Sequence, residues 1–233
     1  MRLIALDTAT ESVSAALLDG KELAVRLETE RNRHTERLLP LVDEVLKAGG
    51  LAAADLDAVA FGAGPGAFTG LRVACGVAQG LAWALEKPVV AVSNLQAAAL
   101  RLRGTEASGI ALIALDARMG ECYVGVYDLS EAIPRALSEP ELVKPEDAGE
   151  IASRHGCTLA AGSGVDLYAE KLALAPSVRV IAGVSPDAGD IVRIAAVMAQ
   201  KGETTSAALA CPVYVRNRVA LTIEERARGE RLQ

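Results

Sequence analysis

The sequence predicts an α/β fold of two lobes, each running β-β-β-α-β-α-β-α. Three observations lead there. Both halves open on an apolar strand that ends in an aspartate, "RLIALD" closing at Asp7 and "IALIALD" closing at Asp116. Each opening is followed by further strand runs and then by an alternation of helical and strand patterns, the signature of parallel crossover units. The two openings also align, "ALDTATESVSAAL" against "ALDARMGECYVGV", which points to an internal duplication. With 233 residues, 51% of them hydrophobic, the chain can bury a core in each of two small lobes. We place the first lobe at residues 1–103 and the second at 104–233, with the C-terminal tail packing back on the first.

In the first half, "SVSAALL" and "KELAVRLE" are joined by Asp19-Gly20, a dipeptide favoured in tight hairpins, so three antiparallel strands come first. Leu38, Leu41, Val42, Val45 and Leu46 then recur at helical spacing and stop at Gly49-Gly50. Pro40 belongs near the first turn of that helix, because further inside it costs a backbone bond and a kink. The strand "DAVAFG", a glycine-rich helix, the strand "PVVAVS" and a helix from about Asn94 to Arg103 complete the half. In the second half, "ECYVGVYD" is a strand, a third strand falls near Pro134 to Ser138, and Pro145 starts a helix. The strand "TLAAG", a short helix from Asp166, the strand "VRVIA" and a helix from about Asp187 to Gln200 follow. A duplicated unit of this order is the ribonuclease H-like arrangement used twice by the actin, sugar kinase and Hsp70 superfamily.

Composition excludes several classes. A net charge of -6 and a pI near 5.1 argue against a protein that holds nucleic acid by its own surface, and aromatic residues at 3% leave few stacking platforms. The local exception is the tail, where Arg216, Arg218, Arg226, Arg228 and Arg231 form a modest basic patch. The N-terminus does not read as a signal peptide and no stretch is long and apolar enough to span a membrane, so a soluble, cytoplasmic protein is expected. Cys75, Cys122, Cys157 and Cys211 are isolated from one another, without zinc or disulfide spacing. His34 and His155 belong to no paired metal motif, and no "GxSxG" elbow is present.

Two features carry chemistry. Asp7 and Asp116 stand at the ends of first strands, where a two-lobed protein of this kind places its cleft, and the residues leave open either a metal or phosphate role or a carboxylate that accepts turn amides. A phosphate-approaching turn favours glycine, and "DTATES" carries Ala9 there. The stretch "FGAGPGAFTGLRVACGVAQG" fails as a phosphate cradle, since Pro65 removes an amide donor and no lysine follows. In the helix beyond it, Gly76, Gly80 and Ala84 recur every four residues along one face, which suits close approach of a second helix or of the lobe's own sheet.

Taken together, "DTATESVSAAL", "RHTERLLPLVDEVL", "GAGPGAFTGLRVACGVAQGLA", "DARMGECYVGVY" and the ending "PVYVRNRVA" resemble the TsaB family over essentially the whole chain. The resemblance implies an actin-like ATPase fold and a subunit of the bacterial complex that makes threonylcarbamoyladenosine in tRNA. It implies a non-catalytic paralogue of the transferase TsaD. Matching "PVVAVSNLQAAAL" onto the metal-binding histidines of TsaD puts Asn94 and Ala98 at their positions, and alanine cannot ligate a metal. The peptidase label attached to the wider family would need those ligands.

The resemblance also implies partners: a TsaD-type catalytic subunit, a TsaE-type ATPase, a second copy of the chain when alone, and tRNA only through the assembled complex, with no membrane. The implied partner interface is a helix-helix contact. His34, Leu38, Leu41, Val42 and Val45 belong to one of its stripes and Thr69, Arg72, Val73, Gly76, Gly80 and Trp83 to the other, although an amphipathic helix also gives part of such a stripe to its own core. No tightly bound cofactor is expected, with at most weak ATP or ADP binding at vestigial phosphate turns through Asp7, Thr8 and Asp116. The alternative is a small ATP-binding phosphotransferase or ATPase of the same superfamily, which would require tight nucleotide binding by the isolated chain.

Overall fold

Strands β1 (Arg2–Asp7), β2 (Val13–Asp19) and β3 (Glu22–Glu28) form an antiparallel meander, and β4 (Ala58–Gly64) and β5 (Val89–Ser93) extend it in parallel, giving the order β3-β2-β1-β4-β5. The computed structural model describes residues 1–29, 34–105, 107–216 and 228. Helix α1 (His34–Gly49) and helix α2 (Phe68–Leu85) cover one face of this sheet, and α3 (Asn94–Arg103) follows β5 directly, with Ser93 Oγ accepting from Gln96 N as its cap. Pro40 lies in the second turn of α1 rather than the first, so the helix forgoes one backbone bond there.

The second lobe repeats the plan. Strands β6 (Ile110–Arg118), β7 (Glu121–Asp128), β8 (Arg135–Ala136), β9 (Glu141–Val143), β10 (Leu159–Ala161) and β11 (Arg179–Ile181) form a sheet of order β11-β10-β6-β7-β8, with β9 also paired to β7. The third strand expected near Pro134 to Ser138 is only the two-residue β8, with Ala136 opposite Tyr127, and β9 adds an unexpected second short piece on the same partner strand, with Val143 opposite Cys122. Pro140 stands between them and has no N–H to give the ladder. Helix α4 (Ala148–Arg154) follows a single 3-10 turn at Pro145–Asp147. Helix α5 (Ser163–Tyr168) starts three residues earlier than Asp166, directly after Gly162 at φ 115. Helix α6 (Ala188–Gln200) is closed at its start by a capping box of Asp187 and Asp190.

Packing does not follow chain order. Ile191, Val192, Ile194 and Ala195 of α6 share a core with Leu3, Ala5, Ala60 and Val92 of the first sheet. Conversely, Leu95, Ala98, Ala99 and Leu102 of α3 share a core with Ile113, Leu115, Tyr123 and Leu159 of the second. The last helix of each half therefore packs on the other half's sheet, and the two cross. Arg101 of α3 is ion-paired with Asp187 and Asp190 at the start of α6, 2.8 Å from the Asp190 carboxylate. Where residues 217–227 and 229–233 of the tail pack lies outside the described residues, as do the arginines at 218, 226 and 231. No helix among the described residues is long and apolar enough to cross a membrane.

Candidate functional site

The β1–β2 turn, which carries the expected vestigial phosphate residues Asp7 and Thr8, is closed by the chain itself. Asp7 and Thr8 are fully buried. Asp7 Oδ1 accepts from Asn94 Nδ2 at 2.8 Å and from Ala9 N at 3.3 Å, while Oδ2 has no hydrogen-bond partner among the described residues. Gly64 N in turn donates to Asn94 Oδ1 at 2.8 Å, which fixes the amide so that its NH2 faces the carboxyl. Burial pushes the Asp7 carboxyl up to about 7, against the lowering effect of the Asn94 bond.

The glycine-rich stretch makes this closure possible. A Cβ at Gly62 would collide with Asp7 Oδ1, one at Gly66 would lie 2.7 Å from the Ala9 carbonyl, and one at Gly70 would collide with the Thr8 carbonyl. In their absence Ala67 N donates to Ala9 O at 2.8 Å and Thr8 Oγ1 donates to Gly70 O at 2.6 Å. The loop before α2 is laid directly on the turn. Neither Asp7 nor Thr8 therefore presents its side chain to the cleft in this conformation; the Thr8 hydroxyl holds the loop directly, and the Asp7 carboxyl holds it through Asn94 and Gly64 N. Sequence reasoning missed Gly62, Gly66 and Gly70 as the complement of this turn, since a close backbone approach leaves glycine as its signal but not the identity of what approaches.

Asp116 does not close its strand as expected: β6 runs on to Arg118 with an irregularity between the two residues, and Asp116, paired opposite Cys122, borders an open cleft of about 830 Å³ between the lobes. Its Oδ1 accepts from Arg118 N at 2.9 Å and from Tyr168 Oη at 3.2 Å, and Arg118 Nη1 lies 3.2 Å from Oδ2. Arg118 also reaches across the cleft to Glu11 at 3.3 Å. Exposed Leu27, Met119, Leu167, Val213 and Tyr214 line the cleft's mouth. Such a site is apolar with a few converging polar groups, and its cations are already paired with carboxylates. Among the described residues no cluster of three or more histidine, cysteine, aspartate or glutamate side chains could hold a metal ion. Asn94 is committed to Asp7 and Gly64, and Ala98 is buried in the core that α3 shares with the second sheet.

The second candidate surface is the outer side of α1 and α2. Leu38, Leu41, Val42 and Val45 are 0 to 6% exposed and pack against Ile4, Leu6 and Val59, so the stripe expected to meet a partner faces the lobe's own core. The helix has one continuous apolar face, and the sheet takes it. What α1 exposes is Leu39, at 53%; the side chain of His34 lies outside the described residues. On α2 the small residues Ala74, Ala78 and Ala82 turn inward, while Thr69, Arg72, Gly76, Gly80 and Trp83 turn outward and Val73 lies between. Among the described residues a Cβ at Gly76 or Gly80 would meet nothing within 4 Å, and Trp83 is 71% exposed. Glycines on an open helix face, beside an exposed tryptophan, make a smooth surface with one large apolar anchor.

Comparison with known proteins adds the following. The family described as TsaD, tRNA N6-adenosine threonylcarbamoyltransferase, matches residues 28–216. The TsaB tRNA threonylcarbamoyladenosine biosynthesis protein of Escherichia coli K12 is 36% identical over 94% of this chain and 96% of its own length. The protein of the same name from Haemophilus influenzae is 34% identical over 94% and 95%. A crystal structure from Pseudomonas aeruginosa, described as an uncharacterized protein similar to the peptidase YeaZ, superposes with a TM-score of 0.85 at 39% identity, covering 92% of this chain and 99% of that one. An inorganic polyphosphate/ATP-glucomannokinase from an Arthrobacter strain superposes at 0.50 with 14% identity over 86% of this chain and 99% of that one, a likeness of fold alone.

Proposed function

The chain belongs to the TsaB family of tRNA threonylcarbamoyladenosine biosynthesis proteins, and from that premise we propose that it is a non-catalytic partner subunit in that modification. It docks a TsaD-type transferase through the outer face of α2 and helps to recruit a TsaE-type ATPase. A second copy of the chain covers the same face when the transferase is absent, and tRNA is met only by the assembled complex, in the cytoplasm. No cofactor is held tightly, and ATP or ADP binds at most weakly.

The observation that carries this reading is the open glycine face: among the described residues, Gly76 and Gly80 have nothing within 4 Å of where a side chain would begin, on a helix whose other side is packed on the sheet. Glycine in a helix interior costs about 1 kcal/mol relative to alanine, so two of them on a solvent face need a use outside the free subunit. The closed β1–β2 turn supports the absence of catalysis, because Asp7 and Thr8 are sealed under the loop at 65–70. Titrating the pure chain with a TsaD-type subunit in sedimentation velocity tests the reading. A heterodimer that displaces the homodimer is expected. Two freely sedimenting subunits, or steady ATP turnover by the chain alone, would overturn it.

A further inference from the structure

The segment from Ala210 to Arg216 touches both lobes. Gln79 Nε2 of α2 donates to Ala210 O at 2.8 Å. Val213 N donates to Ala63 O at 2.7 Å, at the end of β4, and Gly64 gives the room for this, since a Cβ there would stand 2.7 Å from Val213 O. The Tyr214 ring lies 5.4 Å from that of Phe68, in the first turn of α2. The Arg72 guanidinium sits 3.7 Å above the Phe68 ring, and its Nε donates to Tyr214 Oη at 3.0 Å. Two residues later the chain has crossed to the other lobe. Arg216, with a side chain only 12% exposed, pairs with Glu121 at 2.6 Å and donates to the carbonyl of Ala117 at 3.1 Å.

These last contacts fall on the β6–β7 hairpin, whose tip residues Arg118 and Met119 both have left-handed backbone, φ 63 and 57. A hairpin tip made of two non-glycine residues in that region persists where its surroundings hold it. Arg216 holds it from one side, and Arg118 ties the same tip to Glu11 of the first lobe.

We propose that Val213–Arg216 is a strap that holds the β6–β7 tip against the first lobe and couples the outer face of α2 to the cleft. Arg72 is the joint. It is exposed on the face assigned to partner docking, and it is also the residue that grips Tyr214. This coupling rests on the reading that α2 docks a partner; the holding of the tip does not. A partner that engages Arg72 takes it from Tyr214, the strap loosens at its first-lobe end, and the hairpin tip at 117–121 loses the geometry that Arg216 imposes. Because coupling between two sites is reciprocal, releasing the strap from the second lobe favours partner docking.

The test is hydrogen exchange on the full chain, with Arg216→Ala releasing the second-lobe end and Tyr214→Ala releasing the first. In either variant, amides of residues 117–121 and 8–12 are expected to exchange roughly tenfold faster, while the strands of both sheets keep their protection. Tyr214 is 43% exposed, so its replacement leaves the cores intact if Arg216→Ala proves too disruptive to fold. Unchanged exchange at both turns in the variants would overturn the strap. For the coupling, transferase binding to wild-type chain is expected to raise exchange at 117–121, and Arg216→Ala is expected to bind the transferase a few-fold more tightly. Equal affinities, with faster exchange in the variant, would overturn the coupling and leave the strap. If the transferase binds neither form, the docking reading itself fails, while the exchange result on the free chain still decides the strap.

Discussion

Leucine at position 76 would stand on the outer side of α2, where a new Cβ meets no atom of the described residues within 4 Å, so the free subunit is expected to accommodate the side chain without a clash. The helix itself gains, since glycine is about 1 kcal/mol less favourable than leucine or alanine at an interior position. The folded monomer is therefore expected to melt no lower than wild type and up to several degrees higher, with about 1 kcal/mol spread over a chain of this size. In a close helix-helix contact the same side chain overpacks the interface, at a penalty of about 1 to 3 kcal/mol. That is roughly a five- to hundredfold loss of association. The assay pairs thermal unfolding at low protein concentration with sedimentation of the chain alone and mixed with a TsaD-type subunit. Assembly is expected to fall while melting holds. Normal assembly by Gly76→Leu would refute the assignment of this face, and a lowered melting temperature would refute the statement that the face is open in the free subunit.

Gly70→Ala makes the opposite case on the same helix: its Cβ would collide with the Thr8 carbonyl, a backbone atom, so a stability loss of about 1 to 3 kcal/mol is expected in chemical denaturation. Asp7 gives a pH dependence. Folded Asp7 keeps its proton up to about 7 whereas the unfolded chain releases it near 3.8, so its contribution is most favourable below about 3.8 and is lost as pH rises to about 7. The stability of Asp7→Asn relative to wild type is expected to climb by about 1.4 kcal/mol per pH unit across that window, on the order of 4 kcal/mol in all; a flat difference from urea titrations at pH 4 to 8 would contradict the buried acid. Arg101→Ala leaves Asp190, which is 2% exposed, without its ion pair. Since the Arg101 side chain is itself 41% exposed, the expected loss is about 1 to 2 kcal/mol, below that of a fully buried pair, and it is checked by guanidinium denaturation.

Much of the fold was legible because its signals are local. The strand ends at Asp7 and Asp128, the hairpin at Asp19-Gly20, the helix from Asn94 to Arg103 and the Asp187 start of α6 each depend on residues within a few positions of one another. The alignment of the two openings carried the duplication, and both sheets have the same strand order. The elements that differ are those where a local signal meets a distant one: β9 pairs with β7 beyond the strand expected near Pro134 to Ser138, and α5 begins at Ser163, directly after Gly162, rather than at Asp166.

The site was legible only in part. Periodicity marks the apolar stripe of α1 but not what covers it, and the sheet covers Leu38, Leu41, Val42 and Val45. Glycine marks a close approach without naming the neighbour: Gly62, Gly66 and Gly70 meet Asp7, Ala9 and Thr8 some 55 to 62 positions away, while Gly76 and Gly80, in the same run, meet nothing among the described residues. What the sequence alone determined was the order of elements, the duplicated plan, the family and the lack of a histidine pair. What only the tertiary structure decided was the exchange of α3 and α6 between the sheets, the sealing of Asp7, the face that α2 turns outward and the strap from Val213 to Arg216. The physical reason is contact range. Side-chain periodicity and capping act over one or two turns, whereas Ala188 N finds Ser14 Oγ at 2.9 Å and Arg72 finds Tyr214 at 3.0 Å across most of the chain's length, through packing that no local pattern encodes.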